Sequence, residues 1–249
     1  YKLGDLSGKI NFWLLLLGAT ATYATPDSWL KVLASPEIRH ATWLSLLSCT
    51  AAAGFALLLA IPVGYLMSRK SFPGKAWLDA ALDIPIILPP LVVGLCLLIF
   101  FQTFAGKIIE KAIPFTYTVA GVVLAQFVVA ASFAIRTMRG TFDHLSARPE
   151  DVALTLGCTR FQALWHVALP AARRGMVAAF CIAWARSLGE FGPILVFAGA
   201  TRMKTEVLPT TIWLELSVGN LEAAVAVSLL MVAMAVLVLV IVRTTGEKV

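Results

Sequence analysis

Residues 41–68 read Ala-Thr-Trp-Leu-Ser-Leu-Leu-Ser-Cys-Thr-Ala-Ala-Ala-Gly-Phe-Ala-Leu-Leu-Leu-Ala-Ile-Pro-Val-Gly-Tyr-Leu-Met-Ser, 28 positions without a charge between His40 and Arg69. A helix needs about 20 apolar residues to cross a bilayer core of about 30 Å. This run is therefore a membrane span. The same count gives four more: 84–106 with 23 residues, 112–135 with 24, 175–201 with 27 interrupted only by Arg186 and Glu190, and 223–242 with 20. A shorter run of 17 residues lies between Lys9 and Asp27. These runs predict an all-α membrane protein of about six transmembrane helices, with residues 1–249 forming a single transmembrane domain.

Composition agrees. Hydrophobic residues make up 59% and charged residues 14% of the 249 positions, against about 45–50% and about 25% in soluble chains. A soluble domain would have too few polar residues for its surface, and a disordered one would be far less apolar. The net charge of +6 does not point to nucleic acid, because the basic residues sit between the apolar runs, where they set topology. With six spans and the N-terminus inside, thirteen Lys and Arg fall inside. Six fall outside: Lys31, Arg39, Lys107, Lys111, Arg202 and Lys204. Both termini are thus expected in the cytoplasm. The leading segment has a second reading: Lys2 and Lys9, the apolar Ile10–Leu17 and Ala19-Thr20-Ala21 have the order of a cleavable signal. The sequence begins at Tyr1 rather than Met, so that segment is expected to extend further. Cys49, Cys96, Cys158 and Cys181 show neither a CxxC pair nor metal-ligand spacing.

The longest cytoplasmic segment is 136–174. Within it Pro149, Glu150 and Asp151 suit a first helical turn. Leu145, Val152, Ala153 and Leu156 share one helical face, and Gly157 suits a left-handed stop. Thr159 with Gln162 forms a capping box for a second helix, whose face carries Phe161, Leu164, Trp165 and Ala168 and which Pro170 is expected to stop. Two short helices with apolar faces either pack on their own bundle or form a knob for a soluble partner.

Asp151-Val152-Ala153, three residues, Gly157, nine residues, then Val167-Ala168-Leu169-Pro170 resembles the loop of ABC-importer permeases that reads Glu-Ala-Ala, three residues, Gly, nine residues, Ile-x-Leu-Pro. Asp151, Val152 and Val167 are mild departures. The resemblance implies a type I importer permease fold and a coupling helix at about 150–157. Seating in the ATPase would rest on Glu150, Asp151, Val152, Ala153, Leu156 and Gly157, followed by Leu169 and Pro170. It extends along the chain. Ile84–Gly94 is similar to a proline-rich stretch of molybdate-type permeases, with Leu91 where the family has Thr. Arg186-Ser187-Leu188-Gly189-Glu190-Phe191-Gly192 resembles their Arg-x-Leu-Gly-Glu-Phe-Gly signature, and Leu208-Pro209 and Gly219–Ala224 fit as well. Sulfate permeases of the group carry Ser-Glu-Tyr-Gly or Arg-Glu-Phe-Gly instead. The implied function is import of molybdate or tungstate, with sulfate or thiosulfate as the alternative.

The resemblance also implies partners: two copies of an ATP-binding cassette ATPase, a second copy of this permease, and an extracytoplasmic oxyanion-binding protein. The place is a prokaryotic plasma membrane. No GxxxxGK[ST] occurs, so ATP and Mg belong to the ATPase and no cofactor is expected in this chain. His40, His144 and His166 are scattered, which argues against an enzyme. An ion-coupled carrier using Asp83 and Glu190 would leave the loop motif unexplained.

Inside the membrane, Arg186 and Glu190 are four apart and share a helix face. They are either a structural ion pair or an element of the pathway or dimer interface. A pore for a dianion has no use for a bare carboxylate, so Glu190 is expected in an ion pair or turned away. If the pair is merely structural and tolerant, Glu190→Gln should leave transport largely intact. Pro85, Pro89 and Pro90 interrupt one span and free backbone carbonyls. They make a packing kink or a flexing break near the pore. Asp83 is expected to cap that span. Gly94, Gly189, Gly192 and Gly199 are expected to allow close helix approach. Pro89, Pro90, Gly94, Arg186 and Glu190 are the pathway or gate candidates.

Overall fold

The computed structural model describes residues 34–247, together with Leu15 and residues 18–20. The expected first span, its signal-peptide alternative and Lys2 and Lys9 lie outside the described residues. All regular elements among those described are helical.

Helix α1 (Pro36–Arg69) carries the 28-residue run. Ser35 caps it by accepting the Ile38 N–H, and Pro36 opens its first turn. Its buried positions include Ala41, Ser45, Ser48, Ala52, Ala56, Ala60 and Gly64, a stripe of small side chains at helical spacing. In lipid there is little hydrophobic force between helices, so close backbone approach does the work. That stripe seats against α5 (Val119–His144), through Ala130, Ala134 and Met138. Helix α8 (Arg173–Leu188) completes the triplet with Ala179, Ala183 and Trp184.

Two expected spans are broken. The run 84–106 is not one helix: α2 (Lys75–Ile87) and α3 (Pro90–Gln102) meet at 112°. Pro89 and Pro90 supply no N–H there, so the ladder ends at Ile87 and restarts at Pro90. Asp83 does not cap a span. It sits within α2 and pairs with Arg136 of α5, while Asp79 pairs with Arg139. The run 175–201 is also divided. It ends as α8 at Leu188, passes through Gly189–Phe191 without helix, and restarts as α9 (Gly192–Phe197).

Helix α4 (Phe104–Ala112) leads into α5, which runs eight residues beyond Arg136, so the segment between spans begins nearer 145 than 136. That segment holds α6 (Arg148–Thr155) and α7 (Arg160–Ala171), and α7 bends 77° into α8. Pro170 does not stop α7. A π-helical turn over Leu164–Ala168 shifts the bonding by one residue, the Leu169 N–H reaches the Leu164 carbonyl, and Pro170 sits in the first turn of the α-helical segment Leu169–Ala171. The bend comes at Ala172. Helix α10 (Leu208–Ser217) precedes α11 (Leu221–Glu247), which is apolar enough to span as far as Val238. Counting each bent pair as one, the described residues hold up to five spans.

Candidate functional site

Two regions bring the predicted residues together. The first is the loop between α5 and α8. Glu150 is 6% exposed. Its Oε2 accepts from Tyr65 Oη at 2.7 Å, and its Oε1 accepts from Arg69 Nε at 3.0 Å and Nη2 at 2.8 Å. Arg69 Nη2 also donates to the Leu145 carbonyl at 3.0 Å. The start of α6 is thus tied to the end of α1 by a shielded, charge-assisted set of bonds. Tyr65 packs edge-on against Phe142 at 5.4 Å and is held in turn. Sequence reading missed Tyr65 and Arg69. The signal was present in Arg69 ending the 28-residue run, but no local spacing connects it to a residue 81 positions away.

The apolar face of α6 divides. Ala153 is buried beside Glu150, whereas Val152 and Leu156 are exposed. Leu145 is not on this helix and follows α5 instead. Asp151 is exposed and its N–H bonds to the Ala147 carbonyl. Helix α6 ends one to two residues before the expected limit, and Gly157 follows at φ +93°, a left-handed conformation that costs glycine little. The Cys158 N–H returns to the Ala153 carbonyl at 3.0 Å and closes the turn. Thr159 and Gln162 form the expected capping box. On α7, Ala163 and Ala168 are buried and Leu169 is half-buried, whereas Phe161 and Trp165 are exposed and stack at 6.3 Å. Pro170 is exposed. The result is a turn with its small residues inward, Val152 and Leu156 outward, and Phe161 and Trp165 exposed along an apolar cavity shared with Leu58, Ile61 and Pro62 of α1.

The second region is where the two broken spans meet. A Cβ at Gly192 would lie 2.9 Å from the Leu91 nitrogen and 3.0 Å from Pro90. A Cβ at Gly94 would lie 2.8 Å from the Pro193 Cα. The restart of α3 after Pro89 therefore packs backbone to backbone on the restart of α9. Gly189 makes no such approach, and Gly199 serves a turn at φ +73°. Beside this joint Arg186 Nη2 donates to Glu190 Oε1 at 2.5 Å. Glu190 lies beyond the helix end, since Gly189 caps α8, so the pair forms across the break. The Glu190 side chain is 2% exposed and that of Arg186 40%. The Arg186 guanidinium lies 5.0 Å over the Phe133 ring.

A bundle of helices apolar enough to cross a membrane, with an anchored apolar turn and two touching broken spans, has the parts that a membrane transport subunit needs. Residues 60–246 match the family model described as binding-protein-dependent transport system inner membrane component, and the chain belongs to that family. It is 33% identical over 241 residues to the sulfate transport system permease protein CysT of Escherichia coli, covering 94% of this chain and 87% of that one. It is 35% identical over 239 residues to the molybdenum transport system permease protein ModB of Mycobacterium tuberculosis, covering 95% and 90%. Its fold is similar to a chain of a bacterial ABC transporter that imports the acidic polysaccharide alginate, with TM-score 0.77, 15% identity and 99% and 94% coverage. The chain is thus an ABC-importer permease subunit, and its relatives include both molybdenum and sulfate permeases.

Proposed function

We propose that this permease carries a tetrahedral oxyanion, molybdate or tungstate, from an external binding protein to the cytoplasm. The work comes from ATP hydrolysed with Mg on two copies of a partner ATPase. Two copies of this chain form the path. One observation carries the reading: the turn at 150–157 presents Val152 and Leu156 outward from a base pinned by Glu150. A knob that transmits force needs a rigid base and an apolar tip, and a helix-in-groove contact supplies the seat. Basic residues concentrated at this end of the spans support a cytoplasmic position for it and for both termini. In this scheme the joint of Pro89, Pro90 and Gly94 with Gly192 is the gate.

The Arg186–Gly192 signature supports molybdate or tungstate. Sulfate is the second reading, supported by a sulfate permease with nearly the same identity as the molybdenum one. The test is uptake by the complete importer in proteoliposomes, with labelled molybdate, tungstate and sulfate in competition. Molybdate or tungstate uptake that tenfold excess sulfate does not suppress supports the reading. Preferential sulfate uptake replaces it with the second one.

A further inference from the structure

We infer that Arg186 is the oxyanion contact within the membrane path and that Glu190 is its positioning residue. This rests on the oxyanion reading above. Arg186 lies thirteen residues into α8. At 1.5 Å per residue that is about 20 Å from the basic end of the helix, well inside a core of about 30 Å. A charge at such depth is costly and sits on a pathway or against a partner group. Here the carboxylate of the pair is hidden and the guanidinium is shown: Glu190 is 2% exposed and Arg186 40%. The surface offered is therefore cationic.

The guanidinium is also incompletely used. Nη2 bonds Glu190, one face lies over Phe133, Nε is buried, and Nη1 makes no hydrogen bond among the described residues. Its orientation is fixed from two sides while donors remain for a third group. The N–H groups left on Nη1 can donate to an oxygen of a tetrahedral dianion. Glu190 has a second consequence. It offsets the arginine charge, so an anion is met but not trapped, as conduction requires. The joint at Pro90 and Gly192 begins two residues beyond Glu190, so a change in the break would move the pair.

The test uses the complete importer in proteoliposomes with Arg186→Gln, Arg186→Lys and Glu190→Gln. It adds the anomalous signal of tungstate in crystals of the assembled complex. Arg186→Gln should lower molybdate and tungstate uptake at least tenfold while the complex still assembles. Arg186→Lys should recover at least a third of it, and Glu190→Gln should lower the half-saturating molybdate concentration at least threefold while slowing maximal uptake, because the arginine charge is then no longer offset. A tungsten peak should lie within 5 Å of the guanidinium. Uptake by Arg186→Gln equal to the parent, or equal loss in the Lys variant, would overturn the role of Arg186 alone. A parent importer that takes up no molybdate, tungstate or sulfate would overturn the oxyanion reading as well.

Discussion

The loop at 145–172 and the joint at 89–94 and 189–193 solve opposite problems. The loop takes a charge pair out of solvent and leaves apolar side chains exposed. The joint removes side chains altogether, so that two backbones touch, and leaves a guanidinium exposed. A buried ion pair is costly to break but gives direction, which suits a part that must not yield. Glycine against proline gives close contact without interlocking side chains, which suits a part that must slide or bend. The difference teaches where stiffness and compliance lie in one chain.

The comparison is broken most severely at Glu150. Glu150→Ala should destabilise the fold by about 3–5 kcal/mol, because Arg69 is left buried without its partner. Tyr65→Phe should cost only about 1 kcal/mol, the net worth of one hydrogen bond. Thermal unfolding of the purified protein in detergent checks both. If the two cost the same, the loop is not held by the charge pair.

Much of this loop was legible in the sequence, because its signals are local. Proline and acids in the first turn, Gly157 in a left-handed stop and the Thr159–Gln162 box act within a few residues. Its anchor was not legible, since Tyr65 and Arg69 reach it across 81 to 85 positions. The joint was legible in the opposite way. Pro89, Pro90, Gly94 and Arg186 to Glu190 stood out as residue types, but charge-free runs measure apolarity, not continuity. The 112° break and the division at Gly189–Phe191 therefore did not show in a count of residues between charges. Pro170 failed as a stop signal for a related reason: the π turn before it absorbs the missing N–H.

At the joint, Gly192→Ala should cost about 1–3 kcal/mol by overpacking, and Gly189→Ala, with nothing closer than 3.8 Å, should cost less than about 1 kcal/mol. Uptake should fall in the first and hold in the second. Equal behaviour would remove the joint as the gate.

At the tip, Leu156→Asp should leave stability within about 0.5 kcal/mol, as exposed substitutions do. It should nonetheless weaken co-purification with the ATPase at least tenfold. An unchanged co-purification would assign the tip to lipid.

The smallest effect concerns Glu206, in the stretch between α9 and α10. It is fully buried. Burial pushes its carboxyl above the usual carboxylate range, with Thr211 and Arg202 pulling the other way. A raised pKa means that the folded state holds the proton more tightly. This stabilising contribution is present below the ordinary carboxylate pKa and is lost as pH rises through the raised value. Glu206→Gln should therefore raise the melting temperature at pH 8 and do little at pH 4. A gain larger at pH 4 would reverse the sign and refute burial as the cause.

The central claim is that the Gly157 turn meets the ATPase beneath the membrane. A Leu156→Cys variant with its native cysteines replaced tests this in the intact complex and in sealed cells. The expected result is a disulfide or short cross-link to the ATPase and no labelling by an impermeant maleimide added outside. Labelling from outside, or a cysteine that never cross-links to the ATPase, would contradict it.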